Sequence, residues 1–223
     1  MSDAVLWSGG KDCFAAALRS GALADPATRL VTAVPAGEPA AFRCHPLEWM
    51  TEQASALRLR HELVEIPRIG WEAAYGAALA ALARDGVTRI VTGDLVIEPW
   101  LRSATEAARV ELVTPFASDP DPGAVLDFLA AHDVVARVSG MRADHYRAGF
   151  LGQPAGRALL AEHGLTDAAQ FHPAGELGEY HTVVTRYGAL RLVDADLETL
   201  PHVERDGVWS LDRSALTSMS EIH

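Results

Sequence analysis

Residues 5–18 read VLWSGGKDCFAAAL, and this stretch decides the fold class of the chain. An apolar run leads into Ser8-Gly9-Gly10 and a run of helix formers follows at once, which predicts a strand, a tight turn and a helix. Two adjacent glycines let the backbone bend sharply and come close to a ligand. The helix directs unpaired N–H groups and the positive end of its dipole at the turn. The stretch therefore predicts an anion-binding turn.

Lys11 lies inside this turn, and it is the only lysine of the chain; the other Lys or Arg positions, of 19 in total, are all arginine. Ser8 adds a hydroxyl donor and Lys11 a full positive charge, and both suit a pyrophosphate. The alternative explanation is coincidence in an arginine-biased composition. We favour a phosphate-binding role.

The turn lacks the four-residue spacing of a Walker A loop. It resembles the PP-loop, Ser-Gly-Gly-x-Asp-Ser, of the N-type ATP pyrophosphatases, which cleave ATP between the α and β phosphates and adenylylate an oxygen. Cys13 stands where that family usually has serine, and a thiol is the weaker donor. A helix N-terminus lowers a thiol pKa, so a reactive Cys13 is a second possibility. The resemblance implies nucleotide binding by Ser8, Gly9, Gly10, Lys11, Asp12 and Cys13.

Length and composition bound the class of protein. At 223 residues with 49% hydrophobic residues, the chain fits one large domain, or one domain with a small appendage. It has no apolar run of 18 residues, so we expect no membrane span, and the start leads directly into a strand, so we expect no signal peptide. Two cysteines are too few for a disulfide framework, which predicts a cytoplasmic protein.

The net charge of −11 bears on partners. Some PP-loop proteins modify transfer RNA, and such enzymes need basic surface to hold phosphates. No arginine-rich cluster is visible, so nucleic acid is disfavoured as the main substrate.

Apolar segments and helical periodicities alternate up to about residue 140, which predicts an α/β fold: a Rossmann-like (HUP-type) parallel sheet with helices on both faces. The glycine turn, Gly93-Asp94 and the loop after Val138 all follow predicted strands and should converge at one rim. Beyond Gly140 the alternation stops, and Tyr187-Gly188 is predicted to close a hairpin. The predicted domains are 1–140, a PP-loop ATP-binding domain, and 141–223, a smaller C-terminal α+β region that binds substrate.

Residues 172–182 read HPAGELGEYHT and hold two Gly-Glu pairs three residues apart. Glycines beside carboxylates suggest a tight loop that presents acids to a ligand. Two acids and an imidazole could hold an ammonium group or a magnesium-bound phosphate, or take a proton from ammonia. A solvated acidic turn before a hairpin is the alternative.

The segment 175–182 resembles the Gly-Glu-x-Gly-Glu-[Phe/Tyr]-[Glu/His]-Thr signature of the diphthine–ammonia ligase (diphthamide synthase) family of PP-loop enzymes. Further segments match this family in order, and together they span about residues 4 to 193. They are Phe42-Arg43-Cys44-His45, Thr92-Gly93-Asp94, Arg102, Val113-Thr114-Pro115-Phe116, Val138-Ser139-Gly140 and Phe150-Leu151-Gly152.

The resemblance implies an ATP-dependent ligase that adenylylates a carboxylate, releases pyrophosphate and then AMP, and uses ammonia to form an amide. It implies ATP and Mg²⁺ as cofactors, with Asp12 and Asp94 as metal ligands and Gly93 and Asp94 at the nucleotide. The catalytic residues would be Lys11, Asp12, Glu176, Glu179 and His181. The substrate, a small molecule or a modified protein side chain, would contact His45, Arg102, Gly175, Glu176, Gly178, Glu179 and Thr182.

Departures from the family pattern keep other functions open. Residues 94–100 are less polar than the family segment, and 185–188 replace an Asp-x-Pro-Leu turn. Arginine richness suggests a high-GC genome, hence a bacterial member with a different substrate. The alternatives are an ATP- or AMP-binding module without ligase activity and a transfer RNA modification enzyme. We expect no glutamine-hydrolysing domain, so free ammonia or a partner would be needed, and a homodimer is an open possibility.

Overall fold

A computed structural model describes residues 2–37 and 44–212 of the chain. The matched positions Phe42 and Arg43, and the segment from residue 213 that the sequence predicts to be weakly ordered, lie outside the described residues. Within them, the N-terminal part forms a five-stranded, all-parallel sheet. Its strands are β1 (Ser2–Leu6), β2 (Arg29–Pro35), β3 (Arg60–Ile66), β4 (Val87–Val91) and β5 (Glu111–Val113).

The strand order is β3-β2-β1-β4-β5, so the chain leaves β1 to one side and later returns to the other. Helices cover both faces: α1 (Lys11–Arg19), α2 (Leu47–Leu57), α3 (Trp71–Arg84), α4 (Pro99–Ala108) and α5 (Ala124–Ala131). On one face of the sheet, helices α3 and α4 pack in a hydrophobic core that includes Ile90 of β4. Helices α1, α2 and α5 belong to the hydrophobic core on the opposite face. The predicted Rossmann-like fold class is confirmed.

Helix α1 is buried on most of its circumference, because it packs against both the parallel sheet and the C-terminal region. Its residues Cys13, Phe14, Ala15, Ala16 and Ala17 are all buried. Small alanine side chains let a helix approach its neighbours closely on more than one side. The alanine run after the glycine turn therefore fixes the turn between the two halves of the fold.

The C-terminal part forms an antiparallel sheet of five strands within the described residues, in the order β8-β7-β6-β10-β9. Its elements are β6 (Val134–Arg142), α6 (Arg157–Glu162), β7 (Tyr180–Tyr187), β8 (Leu190–Arg191), β9 (His202–Arg205) and β10 (Val208–Leu211). The β7–β8 pairing confirms the hairpin predicted around Tyr187-Gly188. The β9–β10 hairpin was not predicted, although its Asp206-Gly207 turn is a strong hairpin signal.

Strand β6 corrects one expectation from the sequence. The alternation of strands and helices grouped residues 134–138 with the parallel strands, but β6 pairs antiparallel with β7 and β10 instead. An apolar strand after a helix has the same pattern in either sheet, so periodicity does not tell which sheet it joins. The division of the chain at residue 140 remains a prediction.

The two sheets meet at the glycine turn. The Val184 N–H donates to the Gly9 carbonyl (3.0 Å), and the Lys11 N–H donates to Thr182 Oγ1 (3.0 Å). The buried Gln53 amide nitrogen donates to the carbonyls of Gly9 and Val184, each at 2.8 Å. Strand β7 and helix α2 thus hold the turn from behind. In the described part of the chain, no helix combines the length and apolar character needed to cross a membrane.

Candidate functional site

A cavity of about 270 Å³ lies at the carboxyl ends of β1, β2 and β4, where the strand order reverses. Ligands of open parallel sheets bind at this switch point. The lining of the cavity is partly apolar and partly polar. The apolar lining includes Leu6, Val31, Ala33 and Met50, and the polar lining includes Ser8, Asp12, His45, Asp94 and Glu176.

The glycine turn has the backbone shape that the sequence predicts. Gly9 has φ +71°, a left-handed conformation that disfavours a side chain, and a Cβ there would lie 2.5 Å from Gln53 Oε1. A Cβ on Gly10 would lie 3.1 Å from the Thr182 carbonyl oxygen. Gly10 also caps α1. The turn therefore places Ser8 and the N-terminus of α1 at the cavity.

Lys11 is buried, with only 2% of its surface exposed, and it does not line the cavity. Its Nζ donates to Asp12 Oδ2 (2.8 Å) and to the carbonyl of Ala174. The same atom lies 5.0 Å from the centroid of the Tyr180 ring. The positive charge therefore holds the loop 172–180 against the glycine turn, a contact that the sequence did not predict.

Three carboxylates line the cavity, those of Asp12, Asp94 and Glu176. Asp12 Oδ1 is buried and has no hydrogen-bond partner, whereas Thr92 donates to Asp94 Oδ2 (2.7 Å). Burial raises the pKa of Glu176, and the charges of Asp12 and Asp94 raise it further. Desolvation likewise raises the pKa of Asp94. This negative wall suits a cationic ligand or a metal-bound anion.

The described part of the chain contains no metal site made by protein side chains alone. Among the described residues, no group of three or more His, Cys, Asp or Glu side chains is arranged to hold a metal ion. Asp12 and Asp94 do line the same cavity, as the sequence predicts for them. Magnesium often takes one or two carboxylates together with substrate phosphates and water. The pair fits that kind of site, and the unpartnered Asp12 oxygen is the available donor.

The two glutamates of the Gly-Glu repeat have different environments. Glu176 lines the cavity, and its Oε1 accepts N–H groups from Leu95 and Val96 at 3.1 Å each. Glu179 is buried, and its carboxylate accepts the N–H groups of His172 (2.9 Å) and Leu177 (3.0 Å). Glu179 does not line the cavity, so its contacts support its own loop rather than the predicted catalytic role.

The glycines of the repeat shape the loop. Gly175 has φ +66°, and a Cβ there would lie 2.7 Å from the Tyr180 carbonyl oxygen. Gly178 also has a positive φ, and neither glycine lines the cavity. Thr182 is buried, and its Oγ1 accepts a hydrogen bond from the Lys11 N–H. These three predicted substrate residues therefore position the loop that carries Glu176.

His45 and His181 form a pair behind the glycine turn. His45 Nε2 lies 3.3 Å from His181 Nδ1, and the two rings meet edge to face at 5.2 Å between centroids. Burial lowers the pKa of His45 to about 3, with the charges of His181 and Lys11 as further causes. Burial also lowers the pKa of His181. Both imidazoles are therefore neutral at neutral pH.

His45→Gln is expected to make the free energy of unfolding depend less on pH below about pH 6.5. Because the folded pKa lies below that of the unfolded chain, the unfolded state takes up the proton first, and stability falls from about pH 6.5 towards pH 3. Between pH 6.5 and 5, wild type should lose about 1–2 kcal/mol more than His45→Gln. Urea unfolding at both pH values measures this, and equal losses would contradict it.

Cys13 is protonated at neutral pH, because burial raises the pKa of its thiol. Its Sγ donates to the Gly10 carbonyl (3.2 Å), and Ser8 Oγ donates to Sγ (3.4 Å). The helix N-terminus, which lowers a thiol pKa, does not outweigh the effect of desolvation, which raises the pKa of Cys13. Cys13 therefore maintains the turn as a serine would, and the raised pKa of its thiol does not favour a nucleophilic role.

Arg102 is exposed on α4 and is not among the residues that line the cavity. An aromatic cluster lies beside the cavity and, unlike Arg102, contributes a residue to its lining. Trp100 meets Trp71 and Tyr75 edge to face, with ring centroids 4.9 and 5.0 Å apart, and Tyr75 lines the cavity.

Comparison with known proteins adds no family assignment. No protein-family model matches the chain, and no curated protein matches it significantly. The resemblance to diphthine–ammonia ligases therefore rests on the motifs quoted above.

Proposed function

We propose that the chain is an ATP-dependent, AMP-forming ligase that joins a carboxylate to ammonia, similar to the diphthine–ammonia ligases. The observation that carries the proposal is the turn of residues 8–12 at the switch point of a parallel sheet, beside a cavity lined by Asp12, whose Oδ1 has no hydrogen-bond partner. A glycine turn with a helix N-terminus behind it suits phosphates. The apolar side chains of the lining suit a nucleoside.

The residues at the cavity fit magnesium-bound ATP better than free ATP. Asp12, Asp94 and Glu176 would repel a bare triphosphate, whereas a divalent cation between phosphates and carboxylates turns this repulsion into attraction. Ser8 and the N-terminus of α1 would hold phosphate oxygens, and Asp12 and Asp94 would hold Mg²⁺. The ion would supply charge neutralisation and Lewis acidity.

In the proposed reaction an acceptor carboxylate oxygen attacks the α-phosphorus of ATP, and pyrophosphate leaves. Ammonia then attacks the acyl carbon of the mixed anhydride, and an amide, AMP and a proton result. The α1 dipole would stabilise the leaving pyrophosphate, and the Lys11 charge would do so once its amino group leaves the Ala174 carbonyl. The carboxylates of Glu176 and Asp94 would attract ammonium to the cavity mouth.

The test is incubation with ATP, Mg²⁺ and ammonium and a panel of carboxylic acids, with nucleotides separated by chromatography. We expect AMP and pyrophosphate in equal amounts, dependent on one acid class and on ammonium. ADP as the product would overturn the proposal. If adenylylation proceeds but product formation does not require ammonium, the nucleophile of the second step is not ammonia.

A nucleotide-binding module without ligase activity is the second candidate, and the position of Lys11 favours it. The amino group is held by Asp12 and the Ala174 carbonyl, away from the cavity. If that contact persists with ATP bound, the charge does not reach the leaving group. Tight ATP binding with no pyrophosphate release across the acid panel would support this module.

We also propose a cytoplasmic location. Neither Cys13 nor Cys44 forms a disulfide, and both are buried. This agrees with a reducing compartment.

A further inference from the structure

The side chain of Gln53 is fully buried on α2 and lies between the glycine turn and β7. Its amide nitrogen, Nε2, donates to the carbonyl oxygens of Gly9 and Val184, each at 2.8 Å. Both neighbours are acceptors, so the nitrogen and not the oxygen of the amide faces them. One uncharged NH₂ group thus joins α2 to the turn and to β7.

Stability alone does not account for this side chain. The Oε1 atom of Gln53 is buried and has no hydrogen-bond partner among the described residues. An unpaired buried acceptor costs about as much as one or two new hydrogen bonds contribute, so the net gain is small. The Gly9 carbonyl is also satisfied without Gln53, because the Val184 N–H donates to it at 3.0 Å. The second donor therefore acts mainly on the direction of this carbonyl.

That carbonyl belongs to the peptide between Gly9 and Gly10, which is easy to rotate because neither flanking residue has a Cβ. A trans peptide directs its C=O and N–H opposite ways, and the described chain has no cis peptide bond. With the Gly9 oxygen held by Gln53 and Val184, the Gly10 N–H points to Ser8 Oγ, at 3.4 Å. Ser8 lines the cavity.

A flip of the same peptide would reverse the polarity that Ser8 meets. The Gly9 oxygen would replace the Gly10 N–H beside Ser8 Oγ, and the hydroxyl would donate to that oxygen instead of to a ligand. With the peptide as it stands, Ser8 Oγ accepts from the backbone and its own proton remains free to be donated. A hydroxyl that accepts one hydrogen bond is also a stronger donor of the next.

We infer that Gln53 is a positioning residue: it fixes the Gly9–Gly10 peptide and thereby aims the Ser8 hydroxyl at the pyrophosphate. The inference rests on the proposed function, because pyrophosphate is the leaving group of that reaction. Gln53 does not line the cavity and acts only through the turn.

The test uses the only Gly-Gly pair of the sequence. Glycine labelled with carbon-13 at the carbonyl and with nitrogen-15 gives one signal from directly bonded labels, that of the Gly9–Gly10 peptide. Titration of the full chain with magnesium pyrophosphate should shift this signal. Gln53→Met has a similar volume and no donor, so it should shift the Gly9 carbonyl signal before ligand is added. Its pyrophosphate affinity should fall at least about tenfold, as expected for losing one hydrogen bond to a charged group.

Thr185→Val is the matched control. Thr185 is buried next to Val184 on β7, and its hydroxyl donates to the Val135 carbonyl at 3.3 Å. This variant also loses a buried hydrogen bond from a side chain to a backbone carbonyl, but no atom of the turn takes part in it. Its pyrophosphate affinity should stay within about twofold of wild type, because sites without shared partners act independently.

Gln53→Glu covers the case in which the methionine variant does not fold. A protonated carboxyl keeps one donor for the two carbonyls, whereas a carboxylate keeps none. The pyrophosphate affinity of Gln53→Glu should therefore fall more steeply with rising pH than that of wild type. Parallel pH profiles would contradict the inference.

The route through Ser8 is tested by combining Gln53→Met with Ser8→Ala. In the Ser8→Ala background, Gln53→Met should weaken pyrophosphate binding less than about twofold, because coupled residues are not additive. Additive losses, or equal affinities of wild type and Gln53→Met, would overturn the inference. If Gln53→Met weakens pyrophosphate binding but wild type forms no AMP, only the ligase proposal fails. If wild type forms AMP and Gln53→Met forms it at the same rate, only the inference fails.

Discussion

Lys11→Met should lower the rate of AMP formation by at least about 100-fold, while ATP affinity falls less than tenfold. Removing one donor that stabilises developing negative charge typically costs about 10²–10³-fold in rate. Methionine keeps the length and apolar stem of lysine, so the packing against Tyr180 is largely retained. Loss of the ammonium leaves the Asp12 and Ala174 acceptors without this donor, which should cost about 1–3 kcal/mol of stability.

Arg102→Met is the matched control for this prediction. It removes one positive charge from an exposed position on α4 that does not line the cavity. Its rate should stay within about twofold of wild type, because an exposed charge outside the site contributes little. A large loss in Arg102→Met would instead restore the substrate-binding role that the family resemblance implies for this residue.

The lone lysine also allows a direct observation of the same contact. Carbon-13 labelling of lysine at Cε gives one side-chain signal, because Lys11 is the only lysine in the chain. If the amino group leaves the Ala174 carbonyl when ATP and Mg²⁺ are added, that signal should shift. An unchanged signal at saturating ATP, together with normal AMP formation in Lys11→Met, would contradict a catalytic role.

The sequence predicted the parallel sheet because the information is local. Strand, glycine turn and alanine-rich helix follow one another within 14 residues, and right-handed crossovers then place every strand end at one rim. Asp12, Asp94 and Glu176 were predicted to share a site, and all three line the cavity. Their convergence follows from topology, since each follows or faces a strand end.

The directions of side chains could not be predicted in the same way. Lys11 donates to a carbonyl 163 residues away, and Glu179 bonds N–H groups of its own loop. A motif names the residue types at a site but not which of them hold the loop and which face the ligand. That choice depends on packing between β7 and the glycine turn, which no local pattern specifies.

Gly93→Ala should have the largest effect on stability, a loss of about 3 kcal/mol or more. A Cβ at Gly93 would lie 2.3 Å from the Asp12 carbonyl carbon and 2.4 Å from the Cys13 nitrogen. Real Cβ atoms do not approach so closely, and these are backbone atoms that cannot rotate away. Overpacking of this kind typically costs about 1–3 kcal/mol and occasionally more. The chain relieves it only by moving β4 away from the start of α1.

Gly76→Ala is the matched control, since its added Cβ would meet only Ala104 Cβ at 3.8 Å, an ordinary contact. Within α3, alanine should stabilise the protein by about 0.5–1 kcal/mol relative to glycine. Guanidinium unfolding measures the change in the free energy of unfolding of each variant, and the two changes should have opposite signs.

Because the shift at residue 93 also displaces the turn of residues 8–12, Gly93→Ala should lose ATP binding even at temperatures where it remains folded. Wild-type ATP affinity in a folded Gly93→Ala protein would mean that the nucleotide does not depend on the junction of β4 with α1, and would remove the glycine turn from the proposed site.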